Sequence, residues 1–98
     1  MQRVSVLGTF YTIKYSNEVE DKGLKGFDGY CDFNTKTIVI DGTNSHSVIE
    51  TTTRHEVIHA FLFESGLDSS SWARNEEIVD WFANQFPKLD KVFDELKV

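Results

Sequence analysis

The chain has 98 residues, 40% of them apolar, with eight Phe, three Tyr and two Trp, and sixteen acidic against ten basic side chains give a net charge of −6. That composition suits one compact domain burying roughly 65% of its unfolded surface and excludes a disordered or low-complexity chain. The acidic balance argues against a nucleic-acid partner, which requires a basic footprint, and no apolar run approaches the roughly 20 residues of a membrane span.

The N-terminal residues Met1 to Gly8 show no secretory apolar region, and the single Cys31 suits a reducing compartment, so a cytoplasmic location is expected. Without a repeat, linker or composition break, residues 1–98 read as one domain of the α+β class, a small N-terminal antiparallel sheet followed by three helices. Val4–Leu7 and Phe10–Tyr15 form two β-rich runs around Gly8-Thr9. Residues 16–26, charged and carrying two glycines, read as a loop. Phe27 to Phe33, a turn at Asn34-Thr35-Lys36, and Thr37 to Asp41 read as a second strand pair, the β-branched run after the turn being the clearest strand.

Ser47 with Glu50 has the capping-box spacing, so the next segment is expected to be a helix from about Val48 to Ser65, stopped at Gly66. Its stretch Val57–Phe63 is apolar nearly all round and predicts burial on most sides. A polar connection over Leu67–Ser71 leads to a second helix from about Trp72 to Phe86, which Pro87 ends, or after which it starts the next one. Leu89, Val92, Phe93 and Leu96 have the spacing of a third, amphipathic helix. Trp72 and Trp81 read as core residues and Cys31 as a strand residue without catalytic company.

The first helix carries His55-Glu56-Val57-Ile58-His59. Residues four apart share a helix face, so both imidazoles reach one ion, and Glu56 stands beside them to take a proton from water. The plain alternative is a pair of packed or capping histidines with a surface glutamate. Three ionisable groups in one buried turn are costly without a compensating partner, and a cation supplies one.

A catalytic zinc site has three protein ligands and an open position. Asn75-Glu76-Glu77-Ile78-Val79-Asp80 on the next helix offers the third: Glu76, with Asp80 on the same face to accept a hydrogen bond from the non-ligating nitrogen of a histidine. Glu77, about 100° around the helix, is the competing ligand. The alternative for this acidic cluster is a solvated first turn favoured by the helix dipole. Tyr30 and His46, and equally Tyr11 and Tyr15, are candidates to stabilise an oxyanion, with no basis in the sequence for choosing among them; the plain alternative is packed tyrosines and a solvated histidine.

HEVIH followed by NEEIVD resembles the gluzincin metallopeptidases, whose thermolysin-like members carry HExxH and then NExxxD, and the chain also looks like the ImmA/IrrE-type minimal zinc peptidases and small phage-encoded zincins. The resemblance spans roughly residues 27–86. It implies Zn²⁺ held by His55, His59 and Glu76, with Glu56 as general base and acid, Asp80 and Asn75 supporting the ligands, a peptide or protein substrate, and the host cytoplasm as location for a phage-encoded chain. The metzincin pattern fails, since it needs glycine and histidine where Leu62 and Ser65 stand. The second helical domain of full thermolysin-like enzymes has no counterpart after Asp80. The competing function is a phage-derived, non-catalytic regulatory or interaction protein that retains zinc as a structural ion. For a peptide substrate, Thr37–Ile40 is expected near the sheet edge facing the site.

Overall fold

The computed structural model describes residues 2–69 and 72–98. The chain runs through β1 (Gln2–Val6), β2 (Thr9–Ser16), a 3-10 turn at Lys22–Leu24, β3 (Gly29–Asp32), β4 (Thr37–Asp41), α1 (His46–Glu64), a 3-10 turn at Trp72–Arg74 and α2 (Glu76–Leu96). The α+β expectation holds. Two α-helices, not three, follow the sheet among the described residues, and Ser70 and Ser71 of the expected connection lie outside them.

The sheet order is β1-β2-β4-β3. Leu7 and Gly8, at φ 50° and 90°, close the β1–β2 hairpin with Val6 opposite Thr9, the left-handed turn that matches strand twist. Asp32 opens the β3–β4 hairpin by accepting from the amides of Asn34 and Thr35, an Asx turn. β4 then enters between β3 and β2, antiparallel to the first and parallel to the second. The sheet is therefore mixed rather than antiparallel, and β4 is interior rather than at the edge. Its sequence explains the position: Ile38, Val39 and Ile40 are all buried, which only a strand covered on both faces permits. Ile38 and Ile40 face α1 in a core with Val6, Tyr11, Ile13 and Ala60, each large aliphatic side chain contributing about 1.5–3 kcal/mol. The edge strand on the helix-bearing side is β3.

Ser45 caps α1, accepting from the amide of Val48, so the helix starts two residues before the expected Val48, and Ser47 stands inside it. Its far end is fastened to the sheet by Glu64, which accepts from Thr9 Oγ1 at 2.9 Å, Tyr11 Oη at 2.6 Å and Lys36 Nζ at 3.1 Å. The expected all-round burial of Val57–Phe63 is not found. The sheet covers one side of α1 and α2 part of another, which leaves the remaining face open, and Phe61 there is 43% exposed.

α2 continues past Pro87, which neither ends it nor starts a new helix. Trp72 and Trp81, expected in the core, are 45% and 55% exposed for the same lack of a third layer. No helix among the described residues is long and apolar enough to cross a membrane.

Candidate metal centre

His55 and His59 project from one face of α1, one turn apart, with ring centroids 4.8 Å apart. α2 approaches this face with its first turns. Asn75 caps α2, its side-chain oxygen accepting from the amides of Glu77 and Ile78, which starts the helix where Glu76 and Asp80 both face α1. Val79 and Ala83, fully buried, form the seam between the helices.

The donor atoms converge. Glu76 straddles both rings, with Oε2 2.9 Å from His55 Nε2 and Oε1 2.9 Å from His59 Nε2, while the two ring nitrogens lie 3.1 Å apart. One ligand atom from each of the three residues lies within 4.8 Å of the others. On the far side of its ring, His55 Nδ1 meets Asp80 Oδ1 at 2.7 Å. A carboxylate only accepts, so Nδ1 carries the proton and a neutral His55 turns an unprotonated Nε2 toward His59 and Glu76. Lone pairs then outnumber protons at the point of convergence, and a cation there satisfies all three donors. Two imidazole nitrogens and one carboxylate are the donor set that zinc takes when a coordination position is left open.

Glu56 is the buried charged residue of α1, only 8% exposed. Burial pushes its carboxyl up to about 7; Glu76 and Asp80 push the same way, against the opposing effect of His55. Burial likewise lowers the pKa of His59, favouring the neutral ring that binds metals.

A groove of about 1030 Å³ opens over the cluster. One wall is the edge strand β3, including Gly29, Tyr30 and Cys31; the floor is α1 from Ser47 to His59; α2 contributes Glu76, Asp80 and Asn84. Gly29 is required here: a Cβ would lie 2.8 Å from Thr52 Cγ2 and 2.9 Å from the Val39 carbonyl oxygen, closer than atoms pack.

Of the anticipated residues, His55, His59, Glu76, Glu56 and Asp80 therefore meet in one place. Glu77 is not among the three clustered ligands. Asn75, expected beside the ligands, acts instead as the cap of the helix that carries Glu76. Tyr30 reaches the groove, but its hydroxyl donates to Asp21 Oδ2 at 2.6 Å, and that hydrogen bond pushes its pKa up to about 12. Its proton is committed away from the cluster. His46 is 87% exposed and pairs with Glu50 one turn along α1, outside the groove. Tyr11 is spent on Glu64 in the core, and Tyr15 is exposed on β2. Thr51 and Thr52, which extend the His55 face of α1 by one turn, and Arg74, beside the α2 cap, line the groove and went unremarked in the sequence; helical periodicity backward from His55 identifies the first two. Cys31 lines the groove as well, with its thiol pushed up to about 12 by burial and by Glu56, which keeps it a poor nucleophile. Compared with family models, curated proteins and solved structures, the chain matches none.

Proposed function

We propose that this protein is a zinc-dependent peptide-bond hydrolase of the minimal gluzincin kind. The observation that carries the reading is the convergence of His55 Nε2, His59 Nε2 and the Glu76 carboxylate beneath an open groove, with the buried Glu56 alongside. Three donors rather than four, on side chains from two helices, favour a catalytic arrangement over a closed structural one.

Zinc, when bound, acidifies water and polarises a carbonyl. The remaining work belongs to the chain. Glu56, held near neutrality by burial, accepts the proton of the attacking water as its oxygen bonds to the carbonyl carbon. It returns that proton to the amine nitrogen as the C–N bond breaks. Asp80 keeps His55 in the Nδ1–H tautomer, aiming Nε2 into the cluster. A peptide substrate is supported by β3 rather than by Thr37–Ile40: β4 is paired on both sides and accepts no added strand, whereas β3 ends the sheet along the groove and leaves its outer backbone edge available.

Metal analysis combined with cleavage of a peptide library tests the proposal. The expected result is one zinc per chain, cleavage by the wild type, zinc retained but cleavage lost in Glu56→Gln, and zinc lost in His59→Ala. A chain that takes up no stoichiometric divalent metal, or a Glu56→Gln variant as active as the wild type, overturns it.

A further inference from the structure

The groove over the cluster is lined by the carboxyl groups of Asp28, Glu56, Asp68, Glu76 and Asp80 and, among the described residues, by one fixed positive charge, the guanidinium of Arg74. The chain has sixteen acidic side chains against ten basic ones, yet Arg74 forms no ion pair among the described residues. Its Nε donates instead to the backbone carbonyl oxygen of Asp68 at 2.9 Å. That bond steadies the side chain and uses one of the five N–H donors of a guanidinium. The residue is exposed.

Its place in the groove follows from the run of α2. Glu76 meets His55 and His59, Asp80 meets His55, and Ala83 meets Arg54. α2 therefore runs back along α1, and the turn before it, with Arg74, lies toward the His59 end. Arg74 stands two residues before Glu76, at most roughly 7 Å along the chain. An extended peptide advances about 3.3 Å per residue, so Arg74 is level with a peptide position within about three residues of the cluster.

We propose that Arg74 binds a carboxylate of the peptide lying along β3, so that the groove selects substrates with an acidic group at one position near the bond cleaved. This rests on reading the groove as a peptide site. Arginine matches a carboxylate with paired N–H···O bonds, which fixes direction as well as charge. The carboxyls around it act the other way. An acidic group displaced along the groove meets Asp28 or the ligand-bearing acids and no cation, so charge sets the register of the substrate. The carboxylate belongs either to an Asp or Glu side chain or to the C-terminus of the peptide.

Binding and turnover together test the role. The zinc-loaded Glu56→Gln chain is titrated, by fluorescence anisotropy, with peptides that carry Glu, Gln or Lys at each position in turn, C-termini free or amidated. The wild type is assayed for cleavage of the same set. At one position, the Glu peptide is expected to bind at least about tenfold more tightly than its Gln counterpart. Adding Arg74→Gln should bring that ratio to about one, and adding Arg74→Glu instead should turn the preference to Lys. Each ratio is taken within one protein, so a loss of folded material leaves it unchanged. A preference confined to free against amidated C-termini assigns the carboxylate to the chain end. A ratio near one in the chain that keeps Arg74 overturns the inference, and so does a preference that Arg74→Gln leaves intact. Acid-selective binding without any cleavage by the wild type removes the hydrolase reading and leaves the role of Arg74 standing. Cleavage without charge preference does the reverse, and a chain that binds no peptide overturns both.

Discussion

Arg54 donates through Nε to the carbonyl oxygen of Ala83 at 2.6 Å, the acceptor that Pro87, having no N–H, leaves without its helical partner. The guanidinium of one helix therefore completes the hydrogen bonding of the other, and it does so from the residue next to His55. This contact both lets α2 pass through its proline and sets α2 against the ligand-bearing face of α1. Arg54→Met is expected to cost about 1–3 kcal/mol by leaving a buried carbonyl unpaired. In a Pro87→Ala background residue 87 regains its N–H, and the cost of Arg54→Met should shrink by about 1 kcal/mol or more. Urea unfolding of the four proteins of this double-mutant cycle measures the coupling; equal costs in the two backgrounds refute it.

Asp80 orients His55 without being one of the three clustered ligands. Asp80→Asn should keep the fold and weaken zinc binding by about ten- to a hundredfold, the usual penalty for losing such a partner. Competition with a chelator of known affinity reads the change, and an unaltered affinity would remove Asp80 from the site.

Acid stability should depend on Glu64. Hydrogen bonds from Tyr11 and then Lys36 hold its carboxyl below the ordinary carboxylate range. A carboxyl with a depressed folded pKa stabilises the protein above its unfolded value, and that contribution disappears as the pH falls through the folded value. Glu64→Gln should lower the thermal midpoint at neutral pH and flatten its decline between about pH 5 and pH 3. Melting curves across that window decide the point, and parallel declines for the two proteins would exclude Glu64 as the titrating group.

Gly29→Ala should destabilise the protein by about 1–3 kcal/mol, because the added methyl meets the Val39 carbonyl and Thr52 inside a closed contact. Since Gly29 also lines the groove, peptide turnover should fall with it. Chemical denaturation at constant zinc is the measurement; a stability within about 0.5 kcal/mol of wild type would show that β3 yields easily.

The parts of the site that were legible in the sequence are those governed by helical spacing. His55 and His59 are four apart, as are Glu76 and Asp80, and local periodicity alone sets each pair on one face. The strands were legible for the same reason, through alternation and turn residues. What escaped was decided by distant partners. Parallel pairing of β2 with β4 leaves no local mark, because it depends on where the β3–β4 hairpin inserts. Pro87 reads as a break, yet its orphaned acceptor is satisfied by a side chain 29 residues earlier in the chain. Ser45 and Ser47 are equally good caps by residue type, and only the end of β4 and the Asp41 turn select the first. Trp72 and Trp81 look like core residues from hydrophobicity, but a sheet with one layer of helices has no second surface to cover them.

The contact between the two α-helices rests on a narrow seam of small side chains, Val79 and Ala83, with Arg54 beside it. A divalent ion gripped by α1 through two rings and by α2 through one carboxylate would bridge that seam as a reversible cross-link, closing the stretch of chain between His59 and Glu76 into a loop. Chelation would then free the second helix to swing away before the sheet gives way, so that metal supply would govern the shape of the molecule as well as the proposed chemistry.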